Sequence, residues 1–331
     1  MTDLEVQNLF NPAHGRDLNF SPSLPDVMEA TNQYKKRHNI LNGFEDRTRV
    51  ELLLIDCQQD FCFPVSPGQS EGQGVDVSIR IAEFIYRNLP YISCITTMMR
   101  IHWPYQIFSP IWWIDESGKN LEPATVISSE DIRSGKFQPS PEVSQFTGTN
   151  YTWALKQSEF YVKAIEGMGH QLRIHPFHCL VGSRGSNMTG IVQEACWFHS
   201  IARGVQPNFQ IYDTNPWTEC RSVFGADYLL RWDGKGALDQ KNTALAHRLL
   251  NNDLLFIAGY SGYHSITSTL DDLLHGISLS DPELTRKVHI LTDCVVPDFA
   301  AECGFCFSPY EKAGMNLVCS GYSLHEYMKL P

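Results

Sequence analysis

No stretch of this chain approaches the roughly 20 consecutive apolar residues that a membrane-spanning helix requires, so a helical membrane protein is excluded. Basic charge is also short. Twenty-six Lys and Arg face 37 Asp and Glu, a formal net charge of −11, which argues against nucleic acid or an anionic membrane as partner. The first residues, MTDLEVQNLFNPAHGRD, lack a basic segment followed by an apolar one. They carry acids early and are not Arg-rich, so neither a secretory nor a mitochondrial leader is expected, and a cytoplasmic location is. Paired cysteine motifs are nearly absent. Of the ten cysteines, several, such as Cys94 and Cys196, sit inside apolar runs, as reduced buried thiols do. Cys303 and Cys306 have C-x-x-C spacing, but no second pair and no histidines follow at a spacing that would complete a zinc site. Internal repeats and low-complexity segments are missing as well.

What is present is enough apolar material, 43% of 331 residues, for one large α/β domain or two small ones. The most informative stretch is Leu254 to Leu274, LLFIAGYSGYHSITSTLDDLL. Leu254–Ala258 is a short apolar run that predicts a buried strand. Gly259 and Gly262 permit a tight turn, and Ile266, Leu270, Leu273 and Leu274 recur at helical spacing. Ser265 is thereby predicted in the first turn of a helix, where outward-pointing N–H groups favour negative charge. A nucleophile or an oxyanion gains there, although an ordinary helix cap reads the same way.

Elsewhere, Glu51–Asp56 (ELLLID) predicts a buried strand whose end carries Asp56, Gln58, Gln59 and Asp60. In open α/β sheets, ligands bind at that end of a strand. Helices are predicted over 77–89, 151–167, 188–203 and 238–251. Strands are predicted over 91–98, 172–174, 209–212 and 288–291. Residues 1–48 show no clear periodicity and read as an N-terminal arm, with a basic cluster at Tyr34–His38 on a solvated face. Residues 49–331 read as the domain. Residues 103–148, rich in Pro, Trp, Ser and Gly, read as an irregular insertion covering one side of a pocket. The alternation of strand and helix implies a mainly parallel sheet with helices on both faces.

Seven pieces resemble the isochorismatase-like hydrolases, a superfamily that includes nicotinamidases and other cysteine amidases. They are LLLIDCQQDF (52–61), FIYRN (84–88), HWPYQIFSPIWW (102–113), RIHPFHCLVGSRG (173–185), NPWTE (215–219), IAGYSGYHSITSTLDDLL (257–274) and LTDCVVP (291–297). The resemblance implies a three-layer α/β/α sandwich around a parallel sheet, a small-molecule ligand or substrate, and a homo-oligomer. It also implies a catalytic Asp, Lys and Cys beside a metal held by Asp-x-His and a later His. The Asp falls on Asp56. The Cys falls on Ser265, a far weaker nucleophile than a thiolate. The Lys falls on Tyr212, which donates a hydrogen bond but carries no cation. The metal carboxylate falls on Arg100, whose guanidinium offers no lone pair and repels a cation. His102 and His178 stand at the remaining metal positions. With His175 they make a three-histidine set of the kind zinc accepts, although the expectation beside Arg100 is hydrogen-bonded histidines and no bound cofactor.

Three altered chemical positions together imply a protein whose inherited chemistry is lost, since members of a catalytic set fail as a unit. Its expected pocket carries Asp56, Gln58, His102, His178, Tyr212, Gly262, Tyr263, His264 and Ser265. The rival expectation is an active amide, ester or vinyl ether hydrolase. On an amide or ester Ser265 attacks with Asp56 or His264 as base, and backbone N–H groups of 262–265 form an oxyanion hole; on a vinyl ether Asp56 donates the proton and no nucleophile is needed. Trp103, Trp112 and Trp113 offer interface anchors or, on the simpler expectation, line the chain's own core.

Overall fold

Val50–Ile55 (β1) is buried along its whole length, as a strand covered on both faces must be. It pairs in parallel with Cys94–Arg100 (β2) on one side, Leu52 opposite Ile95, and with Leu254–Gly259 (β4) on the other, Leu52 opposite Phe256. With Asn208–Tyr212 (β3), Val288–Val295 (β5) and Asn316–Val318 (β6) these form one parallel six-stranded sheet in the order β6-β5-β4-β1-β2-β3. The computed structural model describes residues 9–63, 72–260, 262–296, 307–321 and 323–328. The chain divides into two compact units. The first comprises Met1–Met99, Asn187–Gln210 and Thr243–Pro331, and the second Arg100–Ser186 and Ile211–Asn242.

In the first unit, Leu52, Leu54, Ile95, Phe256 and Ala258 share one apolar cluster with helices Gln73–Arg87 (α2) and Gly190–Arg203 (α4). Alternation along a strand sends Leu53, Ile55, Leu255 and Ile257 to the opposite face, where they are equally buried. Helices Thr243–Leu250 (α5) and Thr267–Ser280 (α6) complete this unit. One acid interrupts β1. Glu51 is buried and satisfied, accepting from Thr96 Oγ1, from Arg248 Nη1 at 2.8 Å and from Asn252 Nδ2 at 2.8 Å.

Before residue 49, where no regular element was expected, a 15-residue helix runs over Leu24–His38 (α1). It buries only Val27, Thr31 and Tyr34, a stripe at i, i+4 and i+7, with Tyr34 edge-on to Phe198 of α4 at 5.7 Å between centroids. The basic cluster is its last turn, where cations complement the helix dipole. Helix α2 starts four residues earlier than predicted, and β2 starts and ends later.

The second unit is built from short pieces. Trp113–Asp115 pairs antiparallel with Phe137–Pro139, and Val126–Ile127 with Leu172–Arg173. The strand predicted over 172–174 therefore lies outside the main sheet. The segment 103–148 is not structureless, since it also holds helices Ser129–Arg133 and Pro141–Thr147. Helix Tyr151–Gly167 (α3) matches its predicted ends. Trp112 and Trp113 are fully buried with Tyr161, Val162, Ile165 and Leu172, and Trp113 Nε1 donates to the Ile107 carbonyl at 2.6 Å. These two tryptophans belong to the unit's own core, whereas Trp103 is exposed.

Candidate functional site

In the first unit the candidate residues lie at the C-terminal ends of β1 and β4. Gly259 has φ 134°, and a Cβ there would collide with the carbonyl oxygen of Ile55, so only glycine lets β4 close on β1 at this level. Asp56 follows directly. It is fully buried and adopts φ 53°, a left-handed conformation that non-glycine residues hold only when their surroundings impose it. Its N–H donates to the Met98 carbonyl at 3.0 Å, and its own carbonyl accepts from Gln58 N at 2.7 Å.

Ser265, only 2% exposed, donates from Oγ to Asp56 Oδ2 at 2.7 Å. The sequence placed Ser265 in the first turn of an α-helix. It lies instead in a π-helical turn, Gly262–Ile266, ahead of α6, a geometry often found at functional sites. His264, half-buried, shares that turn, and Gln58 is buried beside Asp56. Gly262 opens the turn, and the side chain of Tyr263 and the Cys303–Cys306 pair fall outside the described residues.

The thiol adjacent in sequence to Asp56 is buried. Cys57 belongs to the apolar cluster and its Sγ lies 3.7 Å from the Ile55 carbonyl. Burial, followed by the neighbouring Cys62, Cys196, Asp56 and Cys294, pushes its pKa well above the ordinary thiol value, which disfavours the thiolate.

In the second unit Arg100, His102, Tyr212 and Asp213 form one buried network. Arg100 Nη1 donates to Asp213 Oδ2 at 3.1 Å, and Nη2 to Tyr212 Oη at 3.0 Å, with the guanidinium carbon 5.1 Å from the Tyr212 ring centroid. His102 Nε2 lies 3.0 Å from the same Asp213 oxygen, and its Nδ1 lies 3.0 Å from the His178 carbonyl oxygen. Asp213 Oδ1 accepts from Cys220 N at 2.9 Å, and its carbonyl accepts from Gln106 Nε2 at 2.9 Å. Asp213 too has a positive φ, 62°.

A metal does not fit these residues. Both ring nitrogens of His102 are engaged, Nδ1 with the His178 carbonyl and Nε2 with Asp213 Oδ2, so neither is open to a metal. The Arg100 guanidinium holds the carboxylate oxygen that a metal would need. The three histidine rings lie close together, with centroids 4.5 Å apart for His102 and His178 and 5.9 Å apart for His175 and His178, but their nitrogens face other partners. His178 donates from Nδ1 to the Pro176 carbonyl at 2.8 Å, and His175 Nε2 lies 3.4 Å from Glu219 Oε1. Among the described residues no group of three or more His, Cys, Asp or Glu is placed to hold a metal ion. Burial, then the neighbouring His102 and His175, pushes the His178 pKa well below the ordinary histidine value.

Sequence reasoning missed Asp213, although it directly follows Tyr212. Its importance comes from the four donors that converge on it from Arg100, His102, Gln106 and Cys220, which spacing does not reveal. It also missed Glu219, Arg221 and Asp227. Arg221 bridges the two buried acids, with Nη2 3.5 Å from Glu219 Oε2 and Nη1 3.3 Å from Asp227 Oδ2. Burial raises the Asp227 pKa to about 7; Arg221 opposes the rise and Glu219 adds to it.

No family model and no curated protein matches the sequence. Solved structures do. A yeast nicotinamidase, Pnc1p, bound to the inhibitor nicotinaldehyde matches with TM-score 0.50 and 14% identity, over 82% of this chain and 99% of that one. A second structure of the yeast nicotinamidase gives 0.49 and 15%, over 81% and 99%. A nicotinamidase/pyrazinamidase from Acinetobacter baumanii gives 0.48 and 12%, over 83% and 98%. At such identities the likeness concerns the fold. With its six-stranded parallel sheet and flanking helices, the chain has the α/β fold of the isochorismatase-like hydrolases.

Proposed function

We propose that this protein is a catalytically disarmed relative of the nicotinamidases and related amidases, retaining a small-molecule binding role and assembling with copies of itself. The observation that carries this reading is the 3.0 Å hydrogen bond from Arg100 to Tyr212. These two side chains stand where the resemblance puts a metal carboxylate and a catalytic lysine, and they satisfy each other. Neither leaves a metal-activated water or a free ammonium to assist a nucleophile. Ser265 supplies a hydroxyl, a far weaker nucleophile than a thiolate, and a lone serine without a matched base loses several powers of ten in rate.

The 2.7 Å bond between Ser265 and Asp56 favours a second reading, an active hydrolase using that pair. Ammonia release from nicotinamide and turnover of a broad panel of amides and esters decide between them. The disarmed reading expects none. Turnover that Ser265→Ala abolishes would overturn it.

A further inference from the structure

We infer that Asp213 is the hub of a metal-free ion cluster in the second unit, with the Arg100 guanidinium as its resident cation. The carboxylate is 3% exposed as a residue, and both its oxygens are engaged. Its donors come from two stretches of chain, Arg100 to Gln106 and Cys220. The cluster thus ties Asp213 and Cys220 to the end of β2 and the residues that follow it, and the Ile101 N–H to Tyr212 carbonyl bond, 3.2 Å, runs beside it. One carboxylate oxygen accepts from both Arg100 and His102. Buried charge of this kind persists only when it is paired and hydrogen-bonded. Tyr212 adds an acceptor oxygen for Nη2 and a ring beside the guanidinium. The result does the structural work of a bound divalent cation with a covalently attached organic one, and zinc would have to expel it.

The inference is independent of turnover at Ser265, because its tests read metal content and stability. The full-length protein is purified with zinc chloride present, then assayed by elemental analysis and by thermal melting with zinc or EDTA. Less than 0.1 zinc per chain is expected, with a melting temperature unchanged by either addition. One zinc per chain with a raised melting temperature would overturn the cluster. In parallel, Arg100→Ala, Asp213→Asn and the double variant are melted. Each single change lowers the melting temperature, and the double falls by less than the sum of the two, because the pair shares one of its interactions. Losses that add would overturn it. If a variant does not fold, the zinc measurement on the unaltered protein still decides.

Discussion

Replacing Ser265 by alanine separates a settled structural pair from a working catalytic one. The change deletes the Oγ that donates to Asp56 at 2.7 Å and leaves a fully buried carboxylate short of one donor. Hydrogen bonds to charged groups contribute about 1.5–3 kcal/mol, and a buried acceptor left unmade costs in the same range. Alanine's better helix propensity returns only about half a kcal/mol. The expected net loss is therefore about 1–2.5 kcal/mol. Urea unfolding followed by tryptophan fluorescence reads this as a lower midpoint with unchanged slope. Asp56→Asn and the double variant complete a cycle whose coupling is expected at about 1–2 kcal/mol. Active sites behave differently, because they hold groups at a cost in stability, and removing one often stabilises the fold. A neutral or stabilising Ser265→Ala with an additive cycle would refute the reasoning.

Three further outcomes follow from the same geometry. Asp227 holds its proton up to about pH 7 in the folded chain, so its stabilising effect is complete below about pH 4 and is lost as pH rises through 7. The urea midpoint of the unaltered protein should fall across that window relative to Asp227→Asn; parallel profiles would count against it. Burial raises Cys57 well above the thiol range and Cys62, Cys196 and Cys294 to about 12. Brief iodoacetamide treatment of the native protein at pH 8, read by peptide mass mapping, should therefore label exposed Cys319 long before those four. Gly259→Ala drives a Cβ into the Ile55 carbonyl at φ 134° and should cost more than about 1 kcal/mol, whereas an unchanged urea midpoint would mean that the β1–β4 junction is looser than described.

How much of this was legible in the sequence depended on how strongly each segment patterned itself. Leu52–Ile55 and Leu254–Ala258 are unbroken apolar runs, and both became central strands. Helix α3 announced its ends, with Asn150 accepting from Trp153 N at the start and Gly167 at the finish. Helix α1 stayed hidden because it buries a single narrow stripe and shows polar residues elsewhere. Its start and stop signals, Ser23 before Pro25 and basic residues in the last turn, were nonetheless present. At the candidate site, Asp56 and Ser265 stood out as a strand-end acid and a helix-start hydroxyl, the resemblance gave them roles, and the structure brings them together. Asp213 went unseen because its role depends on where Arg100, His102, Gln106 and Cys220 meet in space. The π-helical turn around Ser265 was equally unreadable, since its residues fit the period of an ordinary helix.

The most direct test of the central claim is ammonia release from nicotinamide by the unaltered protein, measured beside Ser265→Ala and beside the chain carrying Ser265→Cys, Tyr212→Lys and Arg100→Asp together. The account predicts no release above buffer from the first two and measurable release from the third. Release by the unaltered protein that disappears in Ser265→Ala would contradict it.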